Sequence, residues 1–223
     1  MLILGVDTSG KNGSLALLRG EGAEVTTLDL VPLTGGSYSA QLVPQLAAML
    51  QRKGVSKQQV DAYAVASGPG SFTGLRVGLS AVKAMAVALR KPIAAVSVLQ
   101  AVASASPQPG RVLAALDDNR GHIYTGDYYV HGTNLPVARE EALLTMDEFL
   151  ARAAGATVVC PDARLARALV GRGVRVEEIA RPGADFIARL GYRKLLAGET
   201  ATPETLDANY IRRSDAELFA KPF

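Results

Sequence analysis

Apolar residues at the start of the chain fall into short runs separated by turn-forming residues. Residues 2–6 and 14–18 are largely apolar, and the sequence TSGKNG between them has the glycines and asparagine of a hairpin turn. Residues 25–30 form a third run. Runs of this length bounded by turn residues indicate β-strands, so we expect the chain to begin with a β-meander.

The apolar spacing then changes from strand-like to helical. Apolar side chains recur every three or four positions at Tyr38, Leu42, Leu46, Met49 and Leu50. This periodicity predicts a helix that ends near Gly54. Pro44 must either kink this helix or lie in its first turn.

A buried strand and a second helix follow. The sequence DAYAVAS, residues 61–67, predicts a strand that is buried on both faces. After a glycine-rich loop a helix runs to about Leu89, with Pro92 beyond it. Residues 93–96 predict another strand, and residues 99–105 predict a short helix.

The order of elements then restarts. The sequence SASPQPG is the best candidate linker, so we predict an N-terminal lobe over 1–105 and a C-terminal lobe over 106–223, and we allow the tail from about residue 205 to pack back on the first lobe. Thr145 and Glu148 form a capping box for a helix that ends at Ala153. The other predicted elements are strands 111–116, 122–130, 157–160 and 174–179, and helices 164–170 and 184–196. This repeated order indicates an α/β fold with two similar halves.

The glycine-rich loop GPGSFTGLRVG, residues 68–78, has several interpretations. A Walker loop would need lysine and then serine or threonine after Gly74, where Leu75 and Arg76 stand, and a dinucleotide fingerprint would need a different glycine spacing. Backbone N–H groups at a helix start attract anions, so Gly70, Ser71 and Thr73 could line a nucleotide pocket without a named motif. The alternative is that the glycines only shape a strand-to-helix turn.

The helix after this loop is apolar on more than one side. One stripe consists of Leu75, Leu79, Val82, Ala86 and Leu89. The neighbouring stripe consists of the small or flexible residues Gly74, Gly78, Ala81, Met85 and Ala88. One stripe suffices to cover a sheet, so the second indicates either packing inside the same domain or an exposed two-helix face that binds another protein. Of these two we favour docking.

Composition and charge narrow the classes of function. The 24 basic and 21 acidic residues are interspersed, which permits nucleic-acid binding but does not imply it. Cys160 ends an apolar run and is interpreted as an inert buried residue in a reducing compartment. No stretch approaches the roughly 20 uninterrupted apolar residues of a membrane span, so we expect a cytoplasmic protein that does not bind a membrane.

Few residues carry the chemistry of a hydrolase. His122 and His131 are too far apart for a helical zinc motif, and no Gly-x-Ser-x-Gly sequence occurs. Asp7 follows the first predicted strand, where it could contact a phosphate or a metal, or form an Asx turn with the residues after it. Asp117 and Asp118 follow the first strand of the second half.

Three sequences together resemble one family: ILGVDTS, GPGSFTGLRVGLSAVKAMA and the terminal ANYIRRSDAE. The chain is similar over its whole length to the TsaB (YeaZ) family of bacterial tRNA-modification proteins. The resemblance implies two related lobes of the actin/Hsp70/sugar-kinase-like fold. It also implies a non-catalytic partner of TsaD, which together with the ATPase TsaE transfers a threonylcarbamoyl group to the adenosine beside the anticodon of tRNAs that read ANN codons.

The resemblance also implies a site. In this family the first two helices form the surface shared with TsaD, and the protein alone pairs with itself through the same face. The residues implied for this interface are Tyr38, Leu42, Leu46, Gly74, Leu75, Gly78, Leu79, Val82 and Met85. Residues near a nucleotide would be Asp7, Gly70, Ser71, Thr73 and Arg76, with ATP and magnesium left open for the complex and assigned to no residue of this chain.

The chain departs from the family pattern in two places. Tyr38 stands where a histidine is common, and Asp117-Asp118-Asn119 stands where the family commonly has Asp-Ala-Arg. Both departures put a shared polar site in doubt and leave the docking helices unaffected.

Other functions remain open. A small-molecule kinase of the same superfamily is the main alternative, and an M22-like glycoprotease rests on family naming alone. Direct tRNA binding would use Arg212, Arg213 and an edge formed by Arg76, Lys83 and Arg90, although a solvated basic edge is the simpler interpretation.

Overall fold

The computed structural model describes residues 1–132 and 135–211 and contains two five-stranded sheets. The first half consists of β1 (Leu2–Asp7), β2 (Asn12–Glu21), β3 (Glu24–Thr34), α1 (Tyr38–Arg52), β4 (Ala62–Gly68), α2 (Phe72–Leu89), β5 (Ile93–Ser97) and α3 (Val98–Ser104). The second half consists of β6 (Gly110–Asp117), β7 (Ile123–Val130), β8 (Val137–Leu144), α4 (Met146–Ala153), β9 (Thr157–Cys160), α5 (Ala163–Val170), β10 (Val176–Glu178) and α6 (Ala184–Leu196).

The two sheets have the same topology. Their strand orders are β3-β2-β1-β4-β5 and β8-β7-β6-β9-β10. In each sheet three antiparallel strands are followed by two parallel strands. The predicted α/β fold with two similar halves is confirmed.

Helices cover both faces of each sheet. We call the first sheet with α1 and α2 the first lobe, and the second sheet with α4 and α5 the second lobe. Apolar clusters lie between each sheet and its own two outer helices, and a third cluster fills the space between the sheets. Three layers of apolar contact therefore hold the molecule together.

The last helix of each half crosses to the other lobe. α3 follows β5 but packs against β6 and β7, whereas α6 follows β10 but packs against β1, β2, β4 and β5. Glycines permit the close approach of α6, because a Cβ on Gly5 would lie 2.3 Å from the carbonyl oxygen of Ala184. The Ser14 hydroxyl also accepts a hydrogen bond of 2.8 Å from the Ala184 N–H. Each of these helices thus packs mainly on the sheet of the other half rather than on the sheet that precedes it in the chain. The predicted lobe boundary near residue 105 stays a prediction.

The residues implied for the partner interface lie in the core of the first lobe. Eight of them are buried between α1, α2 and the first sheet: Tyr38, Leu42, Leu46, Gly74, Leu75, Gly78, Leu79 and Val82. Met85 is partly buried against the same cluster. The reason is that α1 packs beside α2, so α2 must bury one stripe on the sheet and also contact its neighbouring helix.

The glycine flank of α2 contacts the end of β1. A Cβ on Gly74 would lie 2.1 Å from the carbonyl oxygen of Thr8, and a Cβ on Gly78 would lie 2.4 Å from the Thr8 hydroxyl oxygen. That hydroxyl donates a hydrogen bond of 2.7 Å to the Gly74 carbonyl oxygen. This chain therefore already occupies the space beside the two glycines that the family resemblance implied for the partner interface.

The C-terminal segment returns to the first lobe. The Ala201 N–H donates to the Ile93 carbonyl oxygen at 2.8 Å, and Leu206 is buried in the cluster beneath α1 and α2. The Asn209 N–H donates to the Ser67 carbonyl oxygen at 2.7 Å. Arg212 and Arg213, proposed from the sequence as tRNA contacts, lie outside the described residues.

Candidate functional site: the cleft and the outer helix face

A cleft of about 870 Å³ lies between the two lobes. Five segments form most of its lining: the turn after β1, the loop before α1 with the start of that helix, the glycine loop before α2, the turn after β6 and the loop before α6. The carboxyl ends of β1 and β6 both open onto this cleft, which is where open α/β sheets usually bind ligands.

Asp7 lies in the first wall of the cleft and is only 3% exposed. Its Oδ1 accepts hydrogen bonds from the Ser9 N–H at 2.9 Å and from the Ser9 hydroxyl at 2.6 Å. This is the Asx-turn alternative given by the sequence. The carboxylate therefore shapes the turn after β1.

Tyr38 takes part in the same wall. Its hydroxyl donates to the Gly10 carbonyl oxygen at 2.9 Å. Burial and the negative charge of Asp7 raise the pKa of this hydroxyl, and Arg181 opposes that rise. The phenol thus remains a protonated donor where a histidine would titrate near neutral pH.

The glycine loop is attached to the turn after β1. The Ser71 N–H donates to the Ser9 carbonyl oxygen at 2.7 Å, and the Gly74 N–H donates to the Ser71 hydroxyl at 3.2 Å. A Cβ on Gly70 would lie 2.3 Å from the same Ser9 carbonyl oxygen. Two of the amides that could bind an anion at the start of α2 are therefore engaged by this chain.

The structure brings most of the proposed nucleotide-proximal residues together. Asp7, Gly70, Ser71 and Thr73 line the cleft. Arg76 does not, because its guanidinium lies 3.8 Å from the centre of the Phe72 ring and its Nε lies 3.4 Å from the Tyr210 hydroxyl. Among the described residues, the cations that line the cleft are Lys11 and Arg181, and Arg181 Nη2 is 3.5 Å from the Ser9 hydroxyl.

Arg181 was missed by sequence reasoning. It lies in an Arg-Pro-Gly sequence directly before α6, a local signal that marks a helix start without indicating which cleft it borders. Only the return of α6 to the first lobe places it beside the turn after β1. An anionic group in the cleft would meet this guanidinium.

The second wall consists of acidic residues that already have partners. Asp117 forms an ion pair of 2.5 Å with Arg164, and its N–H donates to Asp162 Oδ2 at 2.9 Å. The bond and the charge of Asp117 raise the pKa of the Arg164 guanidinium. Asp118 Oδ1 accepts from the N–H groups of Arg120 and His122. Both carboxylates thus order the turn after β6.

Metal ligands do not gather in this cleft. Within residues 1–132 and 135–211, no group of three or more histidine, cysteine, aspartate or glutamate side chains could hold a metal ion. Burial raises the pKa of the Cys160 thiol to about 12, so that it stays protonated at neutral pH.

A second candidate site is the outward surface of α1 and α2. We call it the outer helix face and define it by six exposed apolar residues: Ala40, Val43, Ala47, Ala84, Val87 and Ala88. Val43 and Val87 are each 62% exposed. Neither helix contains an acidic residue. By length and composition alone α2 would match a membrane span, but core helices of soluble proteins match in the same way. An apolar surface of this kind is typical of a protein–protein contact.

Two related α/β lobes around a central cleft define a protein of the actin/Hsp70/sugar-kinase-like fold. A family model described as "TsaD: tRNA N6-adenosine threonylcarbamoyltransferase" matches residues 32–184. The chain belongs to this family and, within it, to the TsaB (YeaZ) proteins.

Individual relatives agree with this assignment. The chain is 31% identical over 149 residues to the "tRNA threonylcarbamoyladenosine biosynthesis protein TsaB" of Bacillus subtilis, a match that covers 66% of this chain and 64% of that protein. It is 27% identical over 230 residues to the protein of the same description from Escherichia coli, covering 97% of this chain and 96% of that protein.

A solved structure has the same fold. "YeaZ from Pseudomonas aeruginosa" superposes with a TM-score of 0.75 at 26% sequence identity, covering 93% of this chain and all of that chain. The lobes, the crossed helices and the cleft therefore form a fold already known for YeaZ.

Proposed function

We propose that this chain is the non-catalytic partner of a TsaD protein in the transfer of a threonylcarbamoyl group to the adenosine beside the anticodon of tRNAs that read ANN codons. The proposal follows the descriptions of its relatives, which name threonylcarbamoyladenosine biosynthesis in tRNA. The complex also contains the ATPase TsaE and acts in the cytoplasm. ATP, magnesium and tRNA then bind to the complex, and this chain alone carries out no catalysis.

The outer helix face is the observation that carries this proposal. Its residues are mostly alanines, whose small side chains let a partner's helices approach closely, and two exposed valines add apolar area to be buried. The buried residues beneath it hold α1 and α2 in place on the sheet. TsaD covers this face in the complex, and a second copy of this chain covers it when TsaD is absent.

Charged substitutions on this face test the proposal. Val43→Glu and Ala84→Glu would each place a carboxylate at an exposed apolar position of the outer helix face. A partner that covers this face would have to remove that charge from water, which is costly. We expect each variant to fold normally and to bind TsaD from the same organism at least about 100-fold more weakly than the unchanged chain.

The matched control is Ala168→Glu, which adds the same charge to an exposed position of α5 in the second lobe. It should leave the affinity for TsaD unchanged. Equal affinity of all four proteins, measured by calorimetry on folded samples, would reject the outer helix face as the binding surface.

A small-molecule kinase is the second candidate. The arrangement that favours it is the cleft in which Asp7, the glycine loop and Arg181 lie together. Calorimetry with ATP and magnesium distinguishes the two functions. Tight binding by this chain alone that is lost in Asp7→Asn would favour the kinase, whereas no heat of binding at millimolar nucleotide would favour the partner role.

A further inference from the structure

Glu141 joins three separate segments of the chain. It lies on β8 in the second lobe, and its carboxylate accepts hydrogen bonds from the hydroxyls of Ser97 and Tyr128 and from the side-chain amide of Asn209. Ser97 ends β5 of the first lobe, Tyr128 lies on β7 of the second lobe, and Asn209 lies in the C-terminal segment. One carboxylate therefore connects both lobes and the tail.

Ser97 lies where the chain crosses between lobes. Its hydroxyl oxygen also accepts from the N–H groups of Leu99 at 3.2 Å and Gln100 at 3.4 Å, and so caps α3. Because α3 packs on the second sheet, the Glu141 contact fixes the point at which α3 leaves the first lobe. Burial and the nearby negative charge of Glu141 raise the pKa of the Tyr128 hydroxyl, which keeps it a proton donor.

Asn209 contacts both lobes at once. Its backbone N–H donates to the Ser67 carbonyl oxygen of β4, while its side-chain amide donates to Glu141 of β8. The segment that carries it is anchored to the first lobe by the Ala201 hydrogen bond to Ile93 and by Leu206, which is 1% exposed. The side chain of Asn209 is thus the point where a segment fixed on the first lobe binds the second.

We propose that residues 201–211 form a strap that locks the angle between the two lobes, with the Asn209–Glu141 hydrogen bond as its latch. A hydrogen bond to a carboxylate is about twice as strong as one between neutral groups. This one and the Ser97–Glu141 bond link two lobes that meet largely through apolar contacts. Opening of the central cleft then requires that Asn209 release Glu141. The strap acts in this chain whether or not the proposed TsaD partner is correct.

Hydrogen exchange on the full chain tests whether the latch holds the strap. In Asn209→Ala we expect the amide of residue 209 to exchange about tenfold faster or more, since one charge-assisted hydrogen bond is lost. The amide of Ala201, held by Ile93 before the latch, should be unchanged. Asp207→Ala is the matched control, because Asp207 is exposed on the same segment. Within the described residues its carboxylate accepts a hydrogen bond only from the N–H of its neighbour Ala208.

The distance between the lobes tests whether the strap is a lock. Spin labels on Gln45→Cys in α1 and Ala168→Cys in α5 occupy exposed positions on opposite lobes, and buried Cys160 stays unlabelled. We expect a single narrow distance distribution in the otherwise unchanged chain and in Asp207→Ala. Asn209→Ala and Glu141→Ala should each give a broader distribution shifted to longer distances.

Two results overturn the proposal. One is a distance distribution in folded Asn209→Ala that is as narrow as that of the unchanged chain, even if the amide of residue 209 exchanges faster. The hydrogen bond would then hold the C-terminal segment in place without setting the angle between the lobes. The other is equal broadening in Asp207→Ala. If Glu141→Ala does not fold, Asn209→Asp takes its place, because a carboxylate at residue 209 cannot donate to Glu141 and should give the same shift.

Discussion

The outer helices of the two lobes occupy the same place in the topology but have different surfaces. In the first lobe α1 and α2 expose small apolar residues and contain no acidic side chain. In the second lobe α4 and α5 are shorter, and they carry charges of both signs at positions such as Asp147, Arg152 and Arg164. The fold dictates that a helix covers each sheet, but it does not dictate what that helix presents to solvent.

The difference extends to how each helix is attached. α2 lies against the end of β1 through glycines and the Thr8 hydroxyl, so its attachment depends on a close fit. The second lobe uses an ion pair, in which Arg111 binds Asp127 at 2.9 Å and also donates to the carbonyl oxygens of Arg152 and Ala154 near the end of α4. We infer that the close fit of α2 against the end of β1 holds the outer helix face in a fixed position.

The largest effect is expected at Gly74. Gly74→Val places a side chain where even a Cβ would be 2.1 Å from a backbone oxygen, and the end of β1 cannot move without breaking the turn of Asp7. We expect the free energy of unfolding to fall by at least about 3 kcal/mol in chemical denaturation. Ser80→Val, on the exposed side of the same helix, should change it by less than about 0.5 kcal/mol. A Gly74→Val protein as stable as Ser80→Val would show that α2 is not fixed by this contact.

A smaller effect is expected at the ion pair of the second lobe. Arg111→Leu leaves the buried carboxylate of Asp127 without its cation and should lower the free energy of unfolding by about 2 kcal/mol, a value reduced because Arg111 is partly exposed. Arg152→Leu breaks a surface pair with Glu140 and should cost at most about 0.5 kcal/mol. Equal losses of stability in the two variants would show that Arg111 does not hold α4 on the second lobe.

The smallest effect is expected at the helix caps. Thr145→Ala removes the capping box of α4 and should cost about 1 kcal/mol, whereas Ser37→Ala, at the start of α1, removes no cap hydrogen bond from a backbone amide and should cost less. Hydrogen bonds from the Thr145 backbone and side chain lower the pKa of Glu148 below its ordinary 4.5.

This lowered pKa gives the capping box a defined pH dependence. The stabilisation by ionised Glu148 is fully present above its ordinary pKa and is lost as the pH falls through its lower folded pKa. The difference in stability between the unchanged chain and Thr145→Ala should therefore narrow in acid. An unfolded glutamate titrates well within the range from neutral pH down to pH ~2. A stability difference between the two proteins that stays constant over this range would therefore contradict the role of Glu148.

Much of the fold could be predicted because periodicity and capping signals are local. Helix 184–196 was predicted with the ends it has in the structure, and the capping box of Thr145 and Glu148 is present. β8 was missed, since Arg139, Glu140 and Glu141 interrupt its apolar pattern. Charges are common on edge strands, where they prevent pairing with other chains, and β8 is such an edge.

The site was harder to predict because it depends on contacts distant in sequence. The pattern of α2 correctly indicated two contacting sides, but it could not tell a neighbouring helix or the end of β1 from a partner protein. Arg181 enters the cleft, and Asn209 reaches Glu141, only because the chain after residue 180 returns to the first lobe. The sequence allowed the tail from about residue 205 to pack on the first lobe, but no local signal in a single sequence reports which residues such a return brings together.

We propose that α1 and α2 present the binding surface for TsaD. Hydrogen exchange of this chain, measured with and without TsaD from the same organism, tests it most directly. We expect exchange to slow in residues 38–52 and 72–89 on addition of TsaD and to be unchanged in α4 and α5. Protection confined to α4 and α5, or no protection in α1 and α2 when the complex is formed, would contradict the account.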